Sequence, residues 1–231
     1  MRFLLRWTWR VILMALITLT ALQFWFLVHV WYWNGSNPES TAFMRARLQI
    51  LQEDDPKARL RHQWVPYQRI SGHLKRAVIA AEDAKFATHK GFDWDGIQKA
   101  YEKNLREGEI VAGGSTITQQ LAKNLFFSGE RTWWRKAQEA VVAVMLETVM
   151  SKRRILEIYL NVIEWGDGVF GAEAAARYHY GSTAAALSPE QAARLAAVVP
   201  SPRRYGPGSN TGYLQRRTQT ILARMNGAQL P

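Results

Sequence analysis

The sequence predicts a mainly α-helical domain preceded by one transmembrane helix at the N-terminus. Two observations lead to this fold class: an uncharged apolar run near the start of the chain, and a 3.6-residue period of apolar side chains through most of the remainder. Residues with β-branched side chains rarely alternate with polar ones over the length of a strand, so we expect few strands or none. After the apolar run, the chain suffices for one domain with a substantial core and is too short for two.

The apolar run covers residues 11–30 and carries no formal charge, and about 20 residues suffice to cross roughly 30 Å of hydrocarbon. Three arginines precede it and aromatic residues crowd its far end: Arg2, Arg6 and Arg10, then Trp25, Trp31, Tyr32 and Trp33. The arginines predict a cytoplasmic N-terminus, which puts the rest of the chain on the outer face of the membrane. A cleaved signal peptide is the alternative, but its apolar core would be shorter and followed by small residues.

We divide the chain into residues 1–33, the cytoplasmic N-terminus and anchor, residues 34–64, a membrane-proximal linker leading into the domain, and residues 65–231, the domain itself. We expect the domain to fold after removal of residues 1–33. The net charge of +11 favours anionic partners, and nucleic acid or phosphate-bearing lipid would each satisfy it. Because the chain contains no cysteine, it has neither a disulfide framework nor a thiolate metal site.

Helices are predicted throughout the domain, separated by loops that contain glycine or proline. Their ranges are 71–87, 93–106, 116–126, 132–150, 152–162, 171–179, 188–198 and 211–226. The helix over 132–150 is expected to be the most buried, because residues 140–146 are apolar on every side. Trp133 and Trp134 at its start are expected to fill gaps in the core.

Glu82 is the candidate general base. The first helix has a plausible N-cap in Ser71, and Glu82 lies on or beside its apolar stripe, two turns from Leu74 and one from Val78. Partial burial raises the pKa of a carboxyl group, which makes it a useful base near neutral pH. The alternative is an amphipathic helix that ends in a solvated acidic pair, Glu82 and Asp83.

A second carboxylate, Glu139, follows Arg135 by four residues and Lys136 by three on the predicted helix over 132–150. This spacing puts the three side chains on one face and predicts a cation–carboxylate cluster near a helix start capped by Thr132. The alternative is a surface ion pair that contributes roughly a few tenths of a kcal/mol.

The segment between the two carboxylates begins with Gly113-Gly114 and predicts a capped helix. Thr116 and Gln119 form a Thr-x-x-Gln capping box, and we expect the amino end of the helix to face outward with free N–H groups suited to an anion. At helical spacing, Thr116, Gln120 and Lys123 align a hydroxyl, an amide and an ammonium group. The pattern resembles a phosphate cradle without a Walker signature, and a common connector is the alternative.

These motifs stand in the order found in the peptidoglycan glycosyltransferase family. They are Glu82-Asp83-x-x-Phe86-x-x-His89-x-Gly91, then Gly113-Gly114-Ser115-Thr116-Ile117-Thr118-Gln119-Gln120-Leu121-x-Lys123-Asn124, then Arg135-Lys136-x-x-Glu139, then Ile155-Leu156-Glu157-x-Tyr159-Leu160-Asn161. The resemblance runs from about residue 65 to 226 and is closest to the monofunctional biosynthetic transglycosylases. We expect no penicillin-binding transpeptidase domain, because the chain stops at Pro231.

The resemblance implies a lysozyme-like fold that polymerises lipid II into β-1,4-linked glycan strands and releases undecaprenyl pyrophosphate, for bacterial cell-wall synthesis. A pyrophosphate leaving group needs charge neutralisation more than a proton, so one carboxylate and several cations suffice. The implied catalytic residues are Glu82, as the base for the acceptor 4-hydroxyl, and Glu139, as the group that organises the cations or a divalent metal. The implied substrate-binding residues are Asp83, Phe86, His89, Thr116, Gln120, Lys123, Arg135, Lys136 and Asn161, with Lys123, Arg135 and Lys136 on the phosphates.

No obligatory cofactor is evident, and Mg²⁺ or Mn²⁺ at the pyrophosphate is the one candidate. His89 lacks a second histidine at ligand spacing, so we expect it to hydrogen-bond within the motif. Glu157 and Tyr159 are expected to be scaffold, through packing or through ion pairing with Arg153 or Arg154.

The resemblance also implies the location and the partners. The protein would be a single-pass protein of the bacterial inner (plasma) membrane with a periplasmic catalytic domain. Its partners would be lipid II, the growing glycan strand, the bilayer and other cell-wall synthesis or division proteins, with no nucleic acid. A lytic enzyme is one alternative, but it would not need the cation cluster. A non-enzymatic basic binding protein is another, and it leaves the two carboxylates unexplained.

Overall fold

The computed structural model of the chain describes residues 2–109, 113–129, 132–206, 208–209 and 211–231. The helices in chain order are α1 (Arg2–Gly35), α2 (Ala42–Asp54), α3 (Gly72–Glu82), α4 (Trp94–Glu107), α5 (Ile117–Phe126), α6 (Trp133–Val149), α7 (Lys152–Val162), α8 (Ala172–Tyr180), α9 (Pro189–Val198) and α10 (Gly212–Met225). The prediction of a mainly α-helical domain after one long apolar helix is confirmed. The predicted ranges agree with α4–α10 to one residue at each end.

The first domain helix, α3, ends at Glu82 and not at residue 87 as predicted. Asp83 leaves the helical conformation with φ −163° and ψ 75°. Its side chain accepts the backbone N–H of Ile117 at 3.0 Å and lies 2.8 Å from His89 Nε2. These two contacts turn the chain away from the helix axis, and this leaves Glu82 at the helix end.

Three short strands form one sheet beside α7 and α8, in agreement with the expectation of few strands. They are β1 (Arg61–His62), β2 (Glu164–Gly166) and β3 (Val169–Phe170), in the order β1-β3-β2. β3 pairs parallel with β1 and antiparallel with β2. Gly171, with φ +83°, follows β3 where a Cβ would lie 2.7 Å from the Asn161 carbonyl oxygen, so only glycine allows the sheet to approach the end of α7 this closely.

The segment 34–64, predicted as a linker, contains the helix α2. Thr41 caps α2 by accepting the N–H of Met44 at 3.1 Å, and the Met44 side chain is buried in the core. α2 packs against α5, and Arg47 on α2 forms an ion pair with Glu164 at the start of β2. The segment is therefore a packed part of the domain.

The prediction that α6 is the most buried helix is wrong. Val142 and Leu146 are buried, whereas Val141 and Val144 are exposed. The prediction for the tryptophans at its start is also wrong, because Trp133 is 92% exposed and Trp134 is 60% exposed. A run that is apolar on all sides does not indicate which side other helices cover, and here α1 and α5 pack against α6.

The long helix α1 includes the candidate membrane span, Arg6–Gly35. Most of its side chains are exposed, but Phe26 and Val30 belong to the hydrophobic core of the domain. The predicted boundary at residue 33 therefore does not separate two independent units. Removal of residues 1–33 would uncover core side chains, which we did not expect from the sequence.

Candidate active site

Glu82 lies at the end of α3 with its side chain 11% exposed. Gln120 Nε2 on α5 donates to Glu82 Oε2 at 2.9 Å, and Arg217 Nη2 on α10 lies 3.1 Å from Oε1. Burial raises the pKa of the Glu82 carboxyl, against the hydrogen bond from Gln120 and the charges of Arg217 and Lys123, which lower it. A carboxyl group in this setting is suited to accept a proton near neutral pH.

The amide of Gln120 is held from both ends. The hydroxyl of Tyr159 on α7 donates to Gln120 Oε1 at 2.8 Å, so the amide nitrogen faces Glu82. Tyr159 is fully buried, and burial raises its pKa well above the usual value, with smaller contributions from the charges of Glu82 and Asp83. Tyr159, predicted as scaffold, thus supports the site by fixing the orientation of this amide.

Arg217 is a residue that sequence reasoning missed. It lies on α10, which packs against α3 and α9, and it comes from 135 positions further along the chain than Glu82. The only local signal is the pair Arg216-Arg217 within an amphipathic helix.

The amino end of α5 is closed by the protein itself. The capping box predicted for Thr116 and Gln119 is present, and the Thr116 hydroxyl donates to the Gly91 carbonyl at 2.6 Å. The N–H groups of Thr116, Ile117 and Gln119 all donate to protein side chains. The expectation of a helix end open to an anion is therefore wrong, because Asp83 already supplies the carboxylate there.

Three of the predicted substrate-binding residues make contacts within the protein: Phe86, His89 and Asn161. The Phe86 ring is buried beneath Lys152 Nζ at 4.5 Å, and His89 pairs with Asp83 as expected for a hydrogen-bonding role. The buried Asn161 side chain exchanges hydrogen bonds with both backbone groups of Val65. The roles predicted for these residues, and for Asp83 and Thr116, in binding substrate stay predictions.

A cavity of about 610 Å³ lies on the Gln120 side of Glu82, and we call it the cationic cavity. Its charged lining residues are Lys123, Arg135, Glu164, Arg203 and Arg204. A smaller cavity of about 230 Å³, the Glu82 cavity, is lined by Ala80, Ala81, Glu82, Asp83 and residues 113–116 among others. Glu82 lines the smaller cavity and its hydrogen-bond partner Gln120 lines the larger one, so the carboxyl group is one hydrogen bond away from the cationic cavity.

The predicted cluster around Glu139 is confirmed. Arg135 Nε and Lys136 Nζ each lie 3.3 Å from a different oxygen of Glu139, whose side chain is 5% exposed. The carboxylate of this three-residue cluster is therefore buried, and the cluster is not a surface ion pair. Arg135 also donates to the Gly129 carbonyl at 3.0 Å, and Lys136 to Ser115 Oγ at 3.3 Å. Arg135 faces the cationic cavity, whereas Lys136 connects α6 to the wall of the Glu82 cavity.

Three further groups at the cationic cavity were not predicted. Glu164 is buried and pairs with Arg47 at 3.5 Å and Arg203 at 3.7 Å. Burial raises the pKa of Glu164, opposed by the Gly168 N–H and the two arginines. Arg203 and Arg204 follow Pro202 in a segment that the family resemblance covers, and their adjacency was the available signal.

A protein-bound metal ion does not fit this site. Among residues 2–109, 113–129, 132–206, 208–209 and 211–231, no group of three or more His, Asp or Glu side chains is placed to hold one. Each Glu139 oxygen already faces a cation, and a divalent ion there would be repelled by Arg135 and Lys136.

A buried carboxyl group close to a cavity lined by cations is suited to an enzyme that transfers a group away from an anionic leaving group. Comparison with known proteins identifies the family. The family model described as Transglycosylase matches residues 49–226. The chain belongs to the transglycosylase family and is a glycosyltransferase.

Relatives match over nearly the whole chain. A protein of Nitrosospira multiformis is 61% identical over 229 residues, which cover 99% of this chain and 100% of the relative. A protein of Methylobacillus flagellatus is 63% identical over 223 residues, which cover 96% and 97%. One of Herminiimonas arsenicoxydans is 56% identical over 231 residues, which cover 100% and 99%. Each of these relatives is named biosynthetic peptidoglycan transglycosylase.

Proposed function

We propose that this protein polymerises lipid II into β-1,4-linked glycan strands and releases undecaprenyl pyrophosphate, as a step of bacterial cell-wall synthesis. The observation that carries the proposal is the buried carboxyl group of Glu82, whose pKa is raised and which is hydrogen-bonded to Gln120 in the wall of the cationic cavity. The names of the relatives support peptidoglycan as the polymer.

In the proposed reaction, Glu82 takes the proton of the 4-hydroxyl of the acceptor sugar. The acceptor oxygen then bonds to the anomeric carbon of the donor, and the bond between that carbon and the pyrophosphate oxygen breaks with its electron pair on the leaving group. This single displacement inverts the anomeric carbon. Lys123 and Arg135 neutralise the charge that develops on the pyrophosphate, and they do so without reorganisation because both already line the cavity.

Glu139 acts on the cations in this proposal. By pairing with Arg135 and Lys136 it fixes their positions before the substrate arrives, which lowers the reorganisation needed in the transition state. No step is assigned to a metal ion. Mg²⁺ or Mn²⁺ bound to the pyrophosphate itself remains a prediction from the family resemblance.

The proposed setting is the inner membrane, crossed once by α1, with the N-terminus in the cytoplasm and the domain in the periplasm. Arg6 and Arg10 before the apolar run support this orientation. The bilayer, lipid II and the growing strand are the proposed partners, together with other cell-wall synthesis or division proteins. A reporter enzyme that is active only outside the cytoplasm, fused after Pro231, should be active, and cytoplasmic activity of such a fusion would reverse the orientation.

The test of function is polymer formation from labelled lipid II by the detergent-solubilised full chain. We expect long glycan strands and release of undecaprenyl pyrophosphate. A parallel incubation with preformed glycan separates the lytic alternative, which would shorten the polymer. Absence of polymer with lipid II, or cleavage of preformed glycan alone, would contradict the proposal.

A further inference from the structure

The anchor helix contacts the domain through an amide within its apolar run. Gln23 Nε2 donates to Gln138 Oε1 on α6 at 2.7 Å. Gln138 is 5% exposed and precedes Glu139 in the chain. In an apolar environment an amide side chain stabilises helix association when it finds a partner, so this bond holds α6 against α1.

A second contact joins the anchor to the wall of the cationic cavity. The buried ring of Phe26 packs edge-on against Phe126 at 5.0 Å and against Phe127 at 5.6 Å, measured between ring centroids. Phe127 lines the cationic cavity. One turn further along α1, Val30 is fully buried in the same core. Phe26 therefore supports the Phe127 side of the cavity from behind.

A third contact holds the carboxyl end of α1. Arg154 on α7 donates to the Trp33 carbonyl from Nε at 3.1 Å and from Nη2 at 2.9 Å, and it also bonds the Ser36 carbonyl. Its Nη1 pairs with Glu157 Oε2 at 2.8 Å. Terminal carbonyl groups of a helix have no partner within the helix, so the guanidinium both caps α1 and attaches it to the helix that carries Tyr159.

The same turns of α1 also have an exposed apolar face that lipid can contact. Phe24, Leu27 and Val28 are exposed, whereas Gln23 and Phe26 in the same turns face the domain. The anchor can thus lie in the membrane and contact the domain at once. Each of its three contacts reaches a different element of the site: α6, the loop after α5, and α7.

We propose that residues 23–36 form a fixed wall of the catalytic unit, and that Gln23 is a positioning residue for the Arg135–Glu139 cluster. The proposal rests on the proposed function. Its consequence is that weakening the contact slows glycan synthesis even when the protein stays in the membrane and lipid II is saturating.

The first experiment compares Gln23→Leu, Gln138→Leu and the double variant in the full chain, reconstituted in vesicles. We expect each to lower kcat by roughly 10-fold with little change in KM, because the cations are displaced in the bound complex. The double variant should be no slower than either single one, and Gln23→Leu should add nothing to Arg135→Ala. Vesicle flotation should be unchanged. Thr20→Leu, an exposed position in the same run, is the matched control and should keep full activity.

A cross-linking experiment tests whether turnover depends on the contact between α1 and α6 and not on the amide side chains themselves. The chain has no cysteine, so Gln23→Cys with Gln138→Cys introduces the only two thiols. Before cross-linking this variant should be slow, and a short bifunctional thiol reagent should restore turnover. Leu22→Cys with Gln138→Cys controls for geometry, since Leu22 is exposed and should cross-link poorly.

Three outcomes would overturn the proposal: Gln23→Leu as active as Thr20→Leu, losses that add fully in the double variant, or lower activity after cross-linking than before. Failure of the proposed function is distinguishable from these. In that case the unmodified chain forms no polymer from lipid II, while the cross-linking yields of the two cysteine pairs still report whether α1 lies against α6.

Discussion

The two buried glutamates of the site, Glu82 and Glu139, differ in what surrounds them. Glu82 receives one amide hydrogen bond and one arginine contact, and burial outweighs both, so its pKa is raised. Glu139 has a cation 3.3 Å from each oxygen. The same side chain is thus proposed as a proton acceptor in one place and as a counter-ion for cations in the other, because the two positions have different charged neighbours.

In the proposed reaction the two glutamates belong to different halves. The acceptor hydroxyl would lose its proton at Glu82, and the leaving group would gain its counter-charge from the cations beside Glu139. Gln120 and Lys123 lie at positions i and i+3 of α5, so one helix links the two regions. Substitutions in the two regions should therefore differ in size and in pH dependence.

The largest effect is expected for Glu82→Gln, which removes the base and keeps the shape of the side chain. Polymer formation should fall by at least roughly 10³-fold, within the range of a lost general base. Lipid II binding should stay close to that of the unmodified chain, and the variant should remain folded. Measured turnover near normal would show that another group takes the proton.

Next come the cations, with Lys123→Ala and Arg135→Ala each expected to lower turnover by roughly 10²–10³-fold, the scale of one preorganised electrostatic contact. Lipid II affinity should weaken less. Lys123→Arg keeps the charge but replaces a compact ammonium by a planar fork, so it should recover activity only in part. Single-turnover rates, measured in parallel with lipid II affinity, distinguish a loss of transition-state stabilisation from a loss of substrate binding. Losses confined to affinity would indicate uniform substrate binding.

A smaller effect is expected for Tyr159→Phe, which frees the Gln120 amide to turn. The Gln120 hydrogen bond lowers the pKa of Glu82, so its weakening should raise that pKa further. As the proposed base, Glu82 would have to be deprotonated to act, and the acidic limb of kcat/KM against pH should therefore move to higher pH. Activity near neutral pH would fall by roughly 10-fold at most and recover at higher pH. A loss that is equal at every pH would mean that Tyr159 only supports packing.

Much of this arrangement could be predicted from local sequence. Helical spacing put Glu82 beside the apolar stripe of α3 and grouped Arg135, Lys136 and Glu139. The N-caps at Ser71 and Thr132 are present, with each hydroxyl accepting a backbone N–H. These features depend on residues within a few positions of one another, so their physics is contained in the sequence window itself.

What escaped prediction depends on contacts between distant parts of the chain. Arg217 and Gln23 meet partners 135 and 115 positions away, and periodicity does not indicate which helix will cover a given face. The predictions for the buried side of α6 and for the open amino end of α5 were wrong for the same reason. In the latter case Asp83 occupies a helix terminus that looked open, because its position depends on where α3 ends.

The smallest effect is a pH-dependent gain in stability for Glu82→Gln. The folded-state pKa of Glu82 is raised above its ordinary value of 4.5, so the native state binds more protons than the unfolded state in the pH window above 4.5. Stability contributed by the protonated carboxyl is present at low pH and is lost as pH rises through the folded-state pKa. A neutral amide avoids that loss. Unfolding temperatures of the variant and the unmodified chain should thus be similar at pH 4, with the variant higher at pH 7.5. A lower value for the variant at pH 7.5 would show that the Arg217 contact outweighs burial.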